Sequence, residues 1–184
     1  MASSRIIRHA SVSDIESILN VIDAAKGIMR ASGNMHQWAD GYPSSDVILH
    51  DIERGGGHVI EESPGSCLAR NGEATDLEGR RIVAYFAFLP SPEPTYSEIF
   101  DGAWLDGTLP YHVIHRIASY PDAHGIFNEI IEYAALKDPN LRVDTHPDNK
   151  IMLRLLAENG FTYCGIIYLA SGDLRLAYQR LLPK

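Results

Sequence analysis

The apolar positions of this chain switch repeatedly between a period near two and a period near 3.6. Arg5 to His9 is a short extended run. Ser11 and Asp14 then form a capping-box-like pair, a hydroxyl followed three residues on by an acid. Ile15, Ile18, Leu19, Ile22, Ala25 and Met29 recur at helical spacing, so the first helix runs from there to about Ser32-Gly33. Gly41-Tyr42-Pro43 reads as a turn. Ser44 or Ser45 caps a second helix carrying Val47, Ile48 and Ile52, which Gly55-Gly56-Gly57 stops. His58 to Glu61 is a strand. From Glu62 to Arg80 the composition shifts to Ser, Pro, Gly, Asn and Glu. That segment is expected to be an exposed, flexible loop between two strands, longer than a hairpin requires.

Ile82 to Leu89 is a strongly apolar strand, followed by a break at Pro90, Pro92 and Pro94. Tyr96 to Phe100 reads as an optional further strand, and Asp101 to Pro110 is rich in turn residues. Tyr111 to Tyr120 is the next strand, closed by Pro121. Gly125 opens a helix with Phe127, Ile130, Ile131 and Ala134 on one face. Leu141 to Thr145 is a strand. Pro147 starts another helix with Met152, Leu155 and Leu156 inward, and Gly160 ends it as a C-terminal glycine commonly does. Phe161 to Tyr168 and Leu174 to Arg180 form a closing antiparallel pair around Ser171-Gly172-Asp173. No internal repeat is present. The order is one strand, two helices, three or four strands, then β-α-β-α-β-β, an α/β layered fold in mixed order.

Composition narrows the picture further. At 184 residues the chain is long enough for one domain with a sizeable core, spanning 1–184. Its formal net charge of -8 argues against general nucleic-acid binding, which needs a basic face. No apolar run approaches membrane-spanning length, and no signal-peptide core follows Met1. Cys67 lies in a polar stretch and Cys164 in an apolar strand, so neither a disulfide framework nor a zinc cluster is expected. A cytoplasmic protein, monomeric or homodimeric, is the default expectation.

Several residues together carry a family resemblance. Asn149 followed by Met152, Leu155, Leu156 and Gly160-Phe161 resembles the closing helix and strand of the GNAT acetyltransferases. His115 to Pro121 resembles the strand that carries acetyl-CoA in that family, and Gly125 stands where its phosphate-binding helix begins. The run Asp144 to Asn149, with Tyr163-Cys164-Gly165, resembles an uncharacterised bacterial branch of the superfamily. The resemblance covers about Arg5 to Leu181. It implies a GNAT-type mixed, mostly antiparallel sheet with helices on both faces and a splayed parallel strand pair. It also implies acetyl-CoA as co-substrate. An amide-rich pantetheine arm can pair with splayed strand edges like an added strand, a role that falls by resemblance to Ile117, Ala118 and Ser119. Phosphates suit a helix N-terminus, a role that falls to Gly125, Ile126, Phe127 and Asn128, with His124 as a further donor. The sequence departs from the family twice. Phe127 occupies a small-residue position in a loop that reads about two residues short. Leu156, seven residues after Asn149, stands where many members carry a tyrosine acid.

The resemblance also suggests candidate chemistry, and each candidate has a plainer reading beside it. His115 is a possible base or a structural histidine. His112 and His115 would face opposite sides of a strand, which opposes a metal pair. Asp144 and His146 are positioned to meet substrate, or alternatively satisfy loop amides and cap the next helix. Asn149 contacts the cofactor arm or is a helix-start residue. Tyr163 is a weak candidate acid, and Cys164 is a small buried residue. Trp38 and Tyr42 form an aromatic lid over a small substrate or simply pack. Two functions follow: an N-acetyltransferase acting on a primary amine of a small molecule or peptide, or a non-catalytic acyl-CoA-binding module that keeps the fold.

Overall fold

A computed structural model describes residues 5–38, 41–63 and 79–182. Residues 64–78 lie outside the described residues, and with them Cys67 and most of the loop expected from Glu62 to Arg80; Glu62 itself ends a strand. The chain begins with β1 (Arg5–His9). A 3-10 turn over Val12–Asp14 leads into α1 (Ile15–Ala31). The backbone N–H and the hydroxyl of Ser11 both donate to Asp14 Oδ2, at 2.7 and 2.8 Å. Arg8 grips the same carboxylate with both terminal nitrogens. The second helix, α2 (Ser45–Glu53), starts where the Ser44 hydroxyl accepts the Val47 N–H at 3.4 Å. Then follow β2 (Gly57–Glu62), β3 (Arg81–Pro90), β4 (His112–Ser119), α3 (Ile126–Lys137), β5 (Asn140–Thr145), α4 (Lys150–Glu158), β6 (Thr162–Tyr168) and β7 (Leu174–Leu181).

The strands form one sheet in the order β1-β2-β3-β4-β5-β7-β6. Every neighbouring pair is antiparallel except β4 and β5, which run parallel. This is the mixed, mostly antiparallel sheet that the sequence implies.

Two sequence expectations are corrected. Tyr96 to Phe100 is not a strand: Pro94–Tyr96 is a 3-10 turn, and only Phe100 bridges to Ile166. Pro94 fixes a turn φ there, and the Tyr96 ring turns inward, 3 % exposed, instead of alternating. The last helix starts at Lys150, later than Pro147, because Asn149 supplies the cap by accepting the Met152 N–H at 3.0 Å.

The two faces of the sheet are covered differently. One face packs Phe86, Phe88, Ile114, Leu141 and Val143 against α3 and α4 in a continuous apolar core. The other face carries two separate pads. The first is α1 and α2 over Val59, Tyr85 and Ala118. The second is the β3–β4 connection, with Tyr96, Trp104 and Tyr111 over Val113, Ile167 and Ala177. Arg142 pins the second pad, its guanidinium 3.9 Å from the Trp104 ring centroid and 3.7 Å from that of Tyr111. Residues from both pads line a single cavity. Among the described residues no helix is long and apolar enough to cross a membrane.

Candidate functional site

The site begins with a break in hydrogen bonding. The strands β4 and β5 pair over only two positions, His112 with Leu141 and Val113 with Arg142. Beyond Val113 the two strands part, and Ile114, His115, Arg116 and Ile117 become cavity wall together with Val143 and Asp144. A bulge turns β4 at this point: Tyr85 faces Ala118 while Ala87 faces His115, so β4 holds one extra residue. Arg116 sits at the bulge with φ 54°. A left-handed conformation costs a side-chain-bearing residue about 1–2 kcal/mol, so something must hold it there.

Asp51 holds it. The Arg116 Nε and Nη2 donate to Asp51 Oδ2 and Oδ1 at 2.7 and 2.6 Å. Tyr85 donates its hydroxyl to Asp51 Oδ2 at 2.8 Å, and Arg116 Nη1 donates to the Tyr42 hydroxyl at 3.2 Å. Burial acts to lower the Arg116 pKa, but the Asp51 carboxylate and the hydrogen bonds to Asp51 and Tyr42 overcome it and raise the group further. Burial, followed by the Asp51 charge, pushes the Tyr85 phenol up as well. Arg116 and Asp51 therefore stay as a fixed ion pair beside the neutral Tyr85 phenol, joining α2 to the bulge.

The cavity has a volume of about 840 Å³. On its wall His115 stands between two carboxylates, with Nε2 3.4 Å from Glu93 Oε2 and Nδ1 3.5 Å from Asp144 Oδ1. Glu93 comes from the β3–β4 connection and Asp144 from β5. Burial acts to raise the Glu93 carboxyl, but the His115 imidazole and the Thr95 donors hold it down at about 2. Tyr96 donates to Asp144 Oδ1 at 2.7 Å, its phenol raised by burial and by the Asp144 charge. Glu93 is thus a firm carboxylate and a poor proton acceptor at neutral pH.

The α1–α2 connection supplies another wall through Gln37, Trp38 and Tyr42. Asn149 ties this wall to α4. Its Nδ2 donates to Gln37 Oε1 at 2.8 Å while its Oδ1 caps the helix. Asn149 is therefore both a cap and a strut, and it lines the cavity.

Beyond β4, Gly125 precedes α3 with φ 79°, a conformation that favours glycine. No side chain caps the first turn of α3, so the amides of Ile126, Phe127 and Asn128 suit an anion. Phe127 is 5 % exposed in the α3–α4 core, so its ring does not block that end. Arg5 secures the preceding loop by donating to the His124 carbonyl at 2.7 Å.

The structure does not gather every candidate. Ala118 lies under α1 and α2, and Ser119 pairs with Ala84; neither lines the cavity, whereas Ile117 does. Tyr163 sits on the edge strand β6, 47 % exposed, its ring 5.6 Å from Tyr178 and outside the cavity wall. His146 accepts the Asp148 N–H at 3.1 Å and does not line the cavity. Asp144 binds Tyr96 instead of loop amides. Leu156 is fully buried in the α3–α4 core, away from the cavity wall. His112 points to the opposite face from His115, stacked 4.4 Å from Phe88 and bound to Asp138 at 2.7 Å. Sequence reading missed Glu93, Asp51 and Arg116. Asp51 did leave a signal, an acid on the inward face of α2 between Ile48 and Ile52.

No family model and no curated protein matches the chain. Solved structures do. A GNAT-family acetyltransferase from Streptococcus agalactiae is 29% identical, with a TM-score of 0.78 over 98% of this chain and 96% of that one. A GNAT-family acetyltransferase from Listeria monocytogenes is 17% identical, with a TM-score of 0.66 over 99% of both chains. A chain of the NatC complex bound to Gag peptide and CoA is 12% identical, with a TM-score of 0.54 over 98% of this chain and 99% of that one.

Proposed function

We propose, from the premise that the chain belongs to the GNAT superfamily, that it transfers an acetyl group from acetyl-CoA to a primary amine. The observation that carries this reading is the parallel β4–β5 pair, which stops after two positions and opens into the cavity. The unpaired edge from Ile114 to Ile117 suits an amide-rich arm. The uncapped start of α3, behind Gly125, suits the phosphates. The co-substrate supplies an activated acyl carbon. The chain's part is to hold the amine, take its proton and exclude competing geometry.

The acidic pair Glu93 and Asp144 attracts a protonated amine, and His115 between them accepts the proton that must leave before attack. The two carboxylates then stabilise the imidazolium, as an acid oriented behind a histidine does in other acyl-transfer sites. The amine nitrogen attacks the thioester carbonyl, the C–N bond forms, the C–S bond breaks, and the thiolate takes a proton from solvent. Thiolate leaves without a dedicated acid, consistent with Leu156 and Tyr163 standing away from the cavity. Phe127 and Leu156, the two departures from the family pattern, are the residues that would favour a non-catalytic binder. Both are apolar core here, so neither speaks for lost chemistry.

Acetyl-CoA binding is tested by thermal melting. Acetyl-CoA should raise the melting temperature by mass action. Gly125→Glu should abolish the shift, because it places bulk and negative charge where phosphate must approach. No shift of the native protein at millimolar acetyl-CoA would overturn the reading.

A further inference from the structure

Arg175 is a buried cation without an ion-pair partner among the described residues. It lies on β7, is 5 % exposed, and lines the cavity. Its hydrogen bond runs from Nη1 to the carbonyl of its own neighbour, Leu174, at 2.8 Å. Among the described residues no carboxylate lies within 4.0 Å of it. The other buried arginine, Arg142, is clasped between two aromatic rings and bonded to the Asp106 carbonyl. Arg116 has its bidentate Asp51. A guanidinium cannot shed its proton, and taking it out of water without a partner is costly. Arg175 is therefore built to receive an anion.

Strand register places that anion. Asp144 faces Ala177 across the β5–β7 ladder, and Arg175 is two residues further along β7 on the same side of the sheet. Two residues of strand span roughly 7 Å. Arg175 and the Glu93–His115–Asp144 cluster thus share one cavity, with opposite charges separated by a short step. Asp173, two residues before Arg175, also lines the cavity, but it lies beyond 4.0 Å of the guanidinium and accepts the Ser171 hydroxyl at 2.8 Å. The uncapped start of α3 lies outside this cavity wall, so the phosphate end of the cofactor has its own place.

We propose that Arg175 anchors an oxyanion on the acceptor, so the acceptor is an amine that also carries a carboxylate or phosphonate, an amino acid in the simplest case. The inference rests on acetyl transfer occurring in this cavity. The amine is delivered to His115 and its two carboxylates while the oxyanion lies on the Arg175 guanidinium. Zwitterions then have both charges matched, whereas a simple amine leaves Arg175 unpaired.

Calorimetric titration of the full chain with matched pairs tests this, with and without CoA. Each α- or ω-amino acid is compared with its own amide or decarboxylated amine, and aminomethylphosphonate stands for the phosphonate arm. At least one acid should bind about ten- to hundredfold tighter than its neutral partner, the usual weight of hydrogen bonds to a charged group. Arg175→Gln should erase the gap and Arg175→Lys should keep part of it. Neither should change the acetyl-CoA thermal shift. A carboxylate preference and a phosphonate preference both support the anchor and tell its natural ligand apart. The proposal is overturned if no acid or phosphonate binds, if amides bind as well as acids in every pair, or if the gap survives in Arg175→Gln. Loss of acetyl-CoA binding in Arg175→Gln, with its melt intact, would overturn it too. Should Arg175→Gln fail to fold, the acid-against-amide comparison in the native protein decides alone. Tight acid binding without acetyl transfer would sink the proposed function and leave the anchor standing. Transfer to neutral amines with no acid preference would do the reverse.

Discussion

The two faces of the sheet obey different rules. Under α3 and α4 the contacts are apolar and continuous, and Phe127 and Leu156 are 5 % and 0 % exposed within them. On the opposite face the packing is divided, a left-handed arginine is held by a buried acid, and His115, Glu93, Asp144 and Arg175 share a cavity wall. A residue's departure from a family pattern has a different meaning on each side. On the packed face, a phenylalanine or leucine in an unexpected place is accommodated by the core. On the open face, a change would alter chemistry. Strain and charge are concentrated at the cavity, and the packed face supplies the rigidity against which they are held.

The largest contrast should come from His115. His115→Ala should lower turnover by about a hundred- to ten-thousandfold, the usual contribution of a positioned base, while leaving the acetyl-CoA thermal shift in place. Turnover within tenfold of the native protein would assign the base elsewhere. The next effect is on stability. Asp51→Ala leaves Arg116 buried at a strained position without its partner, and breaking such a pair costs about 3–5 kcal/mol. Denaturant unfolding should show that loss, and a loss under about 1 kcal/mol would mean that the pair does not hold the bulge.

Leu156→Tyr examines the packed face. A phenol forced into a filled core costs about 1–3 kcal/mol, so the melt should fall with no gain in turnover. A raised turnover at unchanged stability would put Leu156 at the site after all. The smallest effect concerns His58, a titratable group inside the packed face. Its ring stacks 5.1 Å from Phe86 and its Nδ1 lies 2.8 Å from the Gly56 carbonyl. Burial, then the nearby His9 and Lys137, lower its pKa from the usual 6.5. Below that value the unfolded chain binds a proton that the folded chain resists, so stability falls as pH drops through this window. His58→Gln should flatten the slope measured between about pH 7.5 and 5. An unchanged slope would place the responsible group elsewhere.

The same contrast explains what could be read in advance. Local chemistry was legible: the Ser11–Asp14 box, the Ser44 cap and Gly160 with φ 73° all stand where their residue types point. The order of elements was legible because hydrophobic period and turn residues agree along most of the chain. The segment from Tyr96 to Phe100 misled because its residue types suit a strand, whereas the inward Tyr96 hydroxyl is claimed by Asp144, 48 residues away. The site was only half legible for a similar reason. His115 and Asp144 carry recognisable chemistry on recognisable strands. Glu93 is hidden among prolines, and the Asp51–Arg116 pair spans 65 residues. Arg175 reads as an ordinary strand arginine until three dimensions show it buried with no carboxylate partner among the described residues.

We propose that the opening between β4 and β5 serves acetyl transfer to an amine accepted at His115. The most direct test is to incubate the protein with acetyl-CoA, with and without a panel of amines, and to measure thiol release together with the mass of the amine. Thiol release should depend on one or more amines and be matched one for one by acetylated product. Thiol release at the same rate with and without amine, or no release with any amine, would contradict it.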